Sequence, residues 1–445
     1  MKKLMAWALL LAMLLPLGVQ AQDEALPQAF RVKYKVEERK INKERSFVSK
    51  EHVTTARKDV DQVINGLVDA FDAEYAPQLV PDKTNKPRRN SRLDIHVVHS
   101  VSGESAVSFL VLARDTCNRR QRWSPFTTRV FDMADGRLIT LADLFPADSA
   151  AWQVLGNAVR EQLVAYFPAE DADQAVLSAL CTPDALRQAE FMLGPVCLSL
   201  HYEARILYPD HPTLMQVRVP YSALRGMMTE YGERQTDNSR YKMVALTFDD
   251  GPSYTTTALV LNHLRHAGAQ ATFFLIGDRI NEYPDIAMRE NDENHSLQSH
   301  TFKHVDASKQ SQAKLLSNLK SFEDALIDAV GMKPTMLRAP YGVFDPFVEA
   351  DIGLGLIHWG VDTKDWTGKS SSGVLNVVKD EVRSGSIVLM HDIKENTPES
   401  TQKVTEWLFS KGYLCVTVQD LFLHFEKEMI PNKIYYAVNE NTNTN

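Results

Sequence analysis

Met243-Val-Ala-Leu-Thr-Phe-Asp-Asp-Gly-Pro252 is an apolar, β-prone run that ends in two adjacent carboxylates. Gly251-Pro252 then forces a turn. Neighbouring like charges at a strand end are unfavourable unless something, such as a metal ion, separates their roles. Further short runs of this kind follow at 271–276, 296–299, 335–338, 356–361, 386–390 and 414–418, with 296–299 short and the weakest of them. Helical patterns lie among them at 255–267, 310–329, 371–382 and 397–411. Strands alternating with helices predict parallel β/α units closing into a barrel.

Functional residues of such a barrel sit just after the strands, at the C-terminal face. Asp249 and Asp250 follow the first run, His300 and His304 the third, Arg338 the fourth, Asp362 and Asp365 the fifth, and His391 the sixth. They are far apart in sequence, yet the barrel would gather them around one mouth.

His300-Thr-Phe-Lys-His304 spaces two imidazoles four apart, so that on a helical turn both face the same way. With one carboxylate they form a His-His-Asp set that leaves positions for water and substrate, the pattern of a catalytic metal site. Nitrogen and oxygen donors without thiolate suit zinc, cobalt, nickel or manganese and do not choose among them. The second Asp is then free to act as a base. Arg338 would keep that carboxylate ionised, or serve in a structural salt bridge. His391 reads either as a buried core histidine or as the general acid for the leaving group. Asp365 would pair with its other ring nitrogen and raise its pKa, or cap the Ser-rich helix that follows. Tyr341, Trp359 and Trp366 would form a sugar-binding wall, with core packing an equal alternative for Trp359.

Outward from this region, 445 residues are too many for one ordinary domain. A formal charge of -8 gives no electrostatic reason to expect nucleic acid as a partner. Residues 22–233 read as an N-terminal α+β accessory domain, with strands at 31–38, 93–99, 106–112, 198–202 and 215–219 and helices at 59–75 and 152–166. His96, His99, His201 and His211 are scattered there without partners at ligand spacing. The polar stretch 230–240 marks the boundary, and 430–445 reads as a polar tail ending in Asn-rich, disordered sequence. Lys2 and Lys3 precede an apolar stretch that ends at Val19-Gln20-Ala21, so 1–21 reads as a cleaved signal peptide, the alternative being an uncleaved anchor. Either way the protein is expected to be secreted or envelope-associated. Cys181 and Cys197 are a candidate disulfide in that compartment, and Cys415 reads as a buried core thiol.

Five ordered motifs resemble the NodB-type polysaccharide deacetylases, carbohydrate esterase family 4: Thr247-Phe-Asp-Asp-Gly-Pro252, His300-Thr-Phe-Lys-His304, Arg338-Ala-Pro-Tyr-Gly342, Asp362-Thr-Lys-Asp-Trp366 and Leu389-Met-His391. The resemblance covers about 241–425. It implies a deformed (β/α) barrel and metal-dependent removal of N-acetyl groups from sugars, with zinc first among the metals. Carried over, Asp249 is the base, and Asp250, His300 and His304 are the metal ligands. Arg338 orients Asp249, and Asp365 tunes His391, the acid. The backbone N–H of Tyr341 would share the oxyanion with the metal. Trp366 and Leu389 would line the acetyl pocket. Asn294-His-Ser-Leu-Gln298 stands where the family usually has Gly-His-Glu-Ile-Gly; His295 holds a non-ligand place there, so no ligand is lost.

More weakly, Phe131-Asp-Met-Ala-Asp-Gly-Arg-Leu-Ile-Thr-Leu-Ala-Asp-Leu-Phe145 and Val217-Arg-Val-Pro-Tyr-Ser-Ala-Leu224 resemble an extracytoplasmic domain. That domain accompanies some peptidoglycan deacetylases and forms the sensing part of lysozyme-responsive anti-sigma factors. Together these resemblances imply a peptidoglycan N-deacetylase, with the same chemistry on chitin oligomers or acetylated xylan as the near alternative. A sensor that binds glycan or lysozyme through its N-terminal domain is the rival from another class.

Overall fold

The structure, a computed structural model, describes residues 25–41, 46–79, 91–117, 119–167 and 172–442. The expected signal peptide lies outside the described residues. No described helix is long and apolar enough to cross a membrane.

The strand Lys242–Asp249 is buried along its whole length, as a central strand covered on both faces must be. Thr272–Leu275 and Ile387–His391 flank it in parallel, and Tyr413–Val416 pairs with its first half. Parallel pairing continues through Ser296–Ser299, Met336–Leu337 and Gly355–Ile357 on one side and to Val361–Asp362 on the other. The C-terminal ends of these strands therefore open on one face. Helices Thr256–His266, Gln312–Val330, Ser371–Glu381 and Thr397–Ser410 supply Val260, Leu264, Phe322, Val374, Val378, Val404 and Leu408 to a core shared with Val244, Leu246, Phe248 and Phe273. This is a deformed (β/α) barrel.

Its deformation differs from the sequence expectation in two places. The run 356–361 is not one strand: it splits into Gly355–Ile357 and Val361–Asp362, and the chain steps out of the sheet between them. The stretch expected to be a polar tail instead completes the wall. Ile434–Tyr435 pairs in parallel with Gly355–Ile357, Ala437 bridges Ser386, and Val438 donates its N–H to the Gly385 carbonyl at 2.9 Å. The segment thus spans the gap between Gly355–Ile357 and the start of Ile387–His391, burying Tyr435 and Val438. Gly385 has φ +87°, and a Cβ there would run into the Val438 carbonyl. Ile434-Tyr-Tyr-Ala-Val438 is itself a β-prone apolar run, and the polar character begins only at Asn439.

Before the barrel lies an α+β region. Lys33–Ile41, Ser46–Thr54, Ser91–Ser102, Ala106–Cys117, Phe126–Asp132 and Leu138–Ile139 follow one another in a sheet that is antiparallel except for the pairing of Ser46–Thr54 with Ser91–Ser102. Helix Lys58–Tyr75 buries Val60, Ile64 and Val68 in this region's core. A second sheet, Phe191–Leu193, Cys197–Glu203 and Leu214–Pro220, packs with Leu155, Val159 and Leu163 of helix Ala151–Leu163.

The two regions share buried charge. Arg265 donates to Glu51 at 2.6 Å and to Glu293 at 2.8 Å, and Arg289 donates to the same Glu293 at 2.6 Å; all four are buried. The stretch 230–240 is not a free linker. Glu230–Thr236 is helical with Gln235 and Thr236 buried, while Arg240 and Tyr241 both donate to the Gly103 carbonyl, at 2.8 and 3.1 Å. The four cysteines are free thiols. Cys181 donates to the Leu177 carbonyl and Cys197 accepts from Arg218, so the candidate disulfide is not formed, whereas Cys415 is buried as expected.

Arg265→Ala would strand the buried carboxylates of Glu51 and Glu293. Removing one partner from such a network costs about 3–5 kcal/mol. Denaturant unfolding of the two proteins should show that loss, and a difference within about 1 kcal/mol, the range of an exposed pair, would contradict it.

Candidate active site

Asp249, Asp250, His300, His304, Arg338, Asp365 and His391 come together at the C-terminal ends of the barrel strands. Register places Asp249 directly beside His391, because Lys242–Asp249 and Ile387–His391 are neighbouring parallel strands. Asp250 leaves the strand with φ +76°. Thr301, His304, Tyr341 and Lys364 likewise hold left-handed backbone, at φ +67°, +50°, +60° and +57°. Such conformations are unfavourable outside glycine and gather where side chains must be aimed.

Arg338 is fully buried and anchors this arrangement. One terminal nitrogen donates to Asp249 Oδ1 at 2.8 Å and to Thr247 Oγ1 at 2.7 Å. The other donates to the His358 carbonyl at 2.9 Å, and Nε donates to the Ile357 carbonyl at 3.2 Å. Phe274 lies against the guanidinium, 4.2 Å from ring centroid to Cζ. A buried cation needs acceptors all round its fork, and this one has them.

His300 and His304 do not sit on a helical turn. They occupy the loop after Ser296–Ser299, whose left-handed Thr301 and His304 turn the chain back on itself. Phe302 N–H donates to Asn318 at 2.6 Å and fixes the loop to helix Gln312–Val330. The two rings meet edge to face, with centroids 5.0 Å apart. His300 Nδ1 lies 2.8 Å from the Arg338 carbonyl, which can only accept. The neutral ring therefore carries its proton on Nδ1 and turns the Nε2 lone pair inward.

Asp250 Oδ1 lies 3.5 Å from His300 Nε2 and 3.3 Å from His304 Nε2. It is buried and has no hydrogen-bond partner. Three ligand-type atoms thus converge, and ligand atoms around a tetrahedral ion bound at about 2.0–2.1 Å lie roughly this far apart. Burial, with the neighbouring His300 ring, lowers the His304 pKa and favours the neutral, ligating form. Asp250, His300 and His304 therefore fit a divalent cation. They form the single cluster of three or more candidate ligands among the described residues. His295 is buried elsewhere, with Nδ1 accepting from the Ala271 N–H at 3.2 Å.

Across the mouth, His391 Nδ1 meets Asp365 Oδ1 at 2.8 Å. The other Asp365 oxygen accepts the His391 backbone N–H at 2.7 Å and the Thr397 hydroxyl at 3.0 Å. Ser370, not Asp365, caps the helix Ser371–Glu381. Burial disfavours the protonated His391 ring, but the Asp365 hydrogen bond and the charges of Asp249, Asp365 and Asp250 outweigh it and raise the pKa. Tyr341 and Trp366 are 69% and 53% exposed, Trp359 is half-buried, and Leu389 is buried. The Tyr341 N–H donates to nothing among the described residues.

Two buried polar residues here were given no role from the sequence. Thr247 relays between Arg338 and the Val388 carbonyl, to which its hydroxyl donates at 2.6 Å. Asp392 lies buried beneath the turn, accepting from Thr257, with its pKa pushed up by burial to about 7. A Cβ at Gly251 would collide with its carboxyl group, so only glycine fits there. Thr247 opens a quoted motif and Asp392 directly follows another, and nothing in their spacing announces a polar contact.

Residues 236–353 match the family model described as "Polysaccharide deacetylase". A peptidoglycan-N-acetylglucosamine deacetylase of Listeria monocytogenes is 38% identical over 181 residues, 41% of this chain and 39% of that protein. Another protein of that description, from Bacillus cereus, is 35% identical over 191 residues, covering 40% of this chain and 88% of its own length. A solved structure of the peptidoglycan deacetylase PdaC from Bacillus subtilis aligns at 28% identity and a TM-score of 0.41, over 42% of this chain and 92% of that one. The chain belongs to the polysaccharide deacetylase family. It spans about two fifths of the length of the Listeria relative.

Two outcomes follow from the geometry. His304→Ala should weaken zinc binding by more than the about 10–100-fold that loss of an outer-shell partner costs. Competition with a chromogenic chelator measures this, and unchanged affinity would remove His304 from the ligand set. Asp365→Asn removes the carboxylate charge that helps raise the His391 pKa. A raised pKa keeps the ring protonated until pH climbs through it, so the variant should lose activity at lower pH on the alkaline side. An unmoved alkaline limb would separate Asp365 from His391 titration.

Proposed function

We propose that the protein is a metal-dependent hydrolase that removes N-acetyl groups from amino sugars of a cell-wall polysaccharide, peptidoglycan first, and releases acetate. The split environment of the adjacent aspartates carries this proposal. Asp249 is gripped by a buried arginine, while Asp250 faces two imidazoles with no donor of its own.

Asp250, His300 and His304 would hold the ion, with zinc the first choice and cobalt, nickel or manganese the alternatives. When bound, a divalent ion there acidifies water and polarises the acetyl carbonyl. Asp249, kept anionic and oriented by Arg338, takes a proton from the attacking water. The Tyr341 N–H donates to the oxyanion as it develops. His391 gives its Nε2 proton to the sugar nitrogen as the C–N bond breaks, and Asp365 stabilises the ring from the Nδ1 side. Trp366 and Leu389 line the acetyl methyl's pocket. Acetate and a free amine result.

Peptidoglycan is put first because the Listeria and Bacillus cereus relatives are described as peptidoglycan-N-acetylglucosamine deacetylases. A chitooligosaccharide deacetylase of Bradyrhizobium, 35% identical over 160 residues, keeps chitin oligomers as the alternative. Action in the cell envelope, after removal of 1–21, belongs to the same proposal. So does a division into an accessory region, 22–233, and a deacetylase region, 241–425. Contact of the accessory region with glycan or lysozyme would be an added role.

Metal-loaded protein should release acetate from purified peptidoglycan and stop when chelator is added. Asp249→Asn should reduce turnover by at least about 10²–10⁴-fold, the usual worth of a general base, with metal content retained. No acetate from any N-acetylated glycan would overturn the proposal in favour of a binding or sensing protein.

A further inference from the structure

The strand Ile434–Tyr435 runs parallel to its barrel neighbour, so Tyr436 emerges at the same face as the catalytic side chains. Adjacent tyrosines there behave differently. Tyr435 is buried, its ring edge-on to Phe422 at 4.9 Å and its hydroxyl accepting the Ile430 N–H at 2.8 Å. Tyr436 is 54% exposed, and its hydroxyl bonds to nothing among the described residues.

Its ring is nevertheless held. It lies over His358, with centroids 4.5 Å apart and planes 30° from parallel, and His358 in turn lies over Trp359 at 3.9 Å. The Tyr436 carbonyl closes on Gly360, where a Cβ would come within 2.9 Å. This three-ring stack joins the reacting centre through backbone. The His358 carbonyl accepts from Arg338, which holds Asp249. It also abuts the turn that carries Tyr341: a Cβ at Gly342 would lie 3.4 Å from His358 Nε2 and 3.6 Å from the Trp359 ring. Four aromatic side chains are markedly exposed among the described residues, and Tyr341, Trp366 and Tyr436 are three of them.

An aromatic face fixed from behind and open to water in front suits a ligand with an apolar face and a polar rim. A pyranose ring is such a ligand, presenting axial C–H bonds to the stack and hydroxyls to solvent. We infer that Tyr436, backed by His358 and Trp359, is a stacking subsite for a sugar ring adjoining the one whose acetamide is cleaved. The inference rests on the glycan-deacetylase function proposed above. It makes the C-terminal segment a determinant of chain-length preference, because a substrate too short to reach Tyr436 gains nothing from it.

The test compares kcat/KM for an N-acetylglucosamine hexamer and the single sugar in wild type, Tyr436→Ala and Tyr436→Phe. The hexamer-to-monomer ratio should fall about tenfold in Tyr436→Ala, which removes the ring that the second sugar would stack on. It should stay within about twofold of wild type in Tyr436→Phe, which keeps the ring. An unchanged ratio in Tyr436→Ala overturns the subsite. Should wild type cleave neither sugar, the proposed reaction fails for these glycans, and calorimetric titration of the hexamer then decides the subsite alone. Weaker binding by Tyr436→Ala than by Tyr436→Phe supports it, and equal affinity of all three proteins overturns it.

Discussion

The buried guanidinium of Arg338 is the constraint around which the barrel's mouth is organised. A cation taken wholly out of water is tolerated only when its charge and its donors are matched. Here the matching groups come from different strands: Asp249 and Thr247 from the first, and the Ile357 and His358 carbonyls from the end of the fifth. The Arg338 carbonyl also receives His300. One residue thereby sets the orientation of the proposed base, the tautomer of a proposed ligand and the path of the chain between Gly355–Ile357 and Val361–Asp362. That path explains why 356–361 cannot be one strand: its carbonyls turn inward to the arginine instead of pairing in the sheet.

The adjacent aspartates are separated by the same device. Asp249 spends one oxygen on Arg338, while the left-handed turn at Asp250 swings its carboxylate to the histidines. Asp392 and Gly251 pack beneath that turn so closely that no side chain fits. Across the mouth, Asp365 does for His391 what Arg338 does for Asp249, fixing one side of the group and leaving the other toward the mouth.

Much of this was legible in the chain. Barrel strands are short apolar runs, and the polar residues that end them are conspicuous, so the sequence alone points Asp249, Asp250, Arg338 and His391 to one mouth. Spacing was less reliable for His300 and His304, whose interval suits a helix but whose loop is shaped by Asn318 and by two left-handed residues. Polarity misled at both ends of the barrel. The stretch 230–240 is polar yet not free, being part helix and tied through Arg240 to the Gly103 carbonyl, and 434–438 was hidden by the Asn-rich residues after it. Long-range closures of this kind leave no local periodicity to read. The Glu51–Arg265–Glu293 network is similarly invisible, since its members are separated by up to 242 positions and look like ordinary surface charges.

The central claim is that Asp250, His300 and His304 bind one ion and that hydrolysis depends on it. The direct measurement is a zinc titration of metal-free protein, with bound zinc and acetate release from an N-acetylglucosamine oligomer read on the same samples. Acetate release should rise in proportion to bound zinc and level off at one equivalent, the single ligand cluster found among the described residues. Full activity in the metal-free protein, or activity that does not follow occupancy of a single site, would contradict the account.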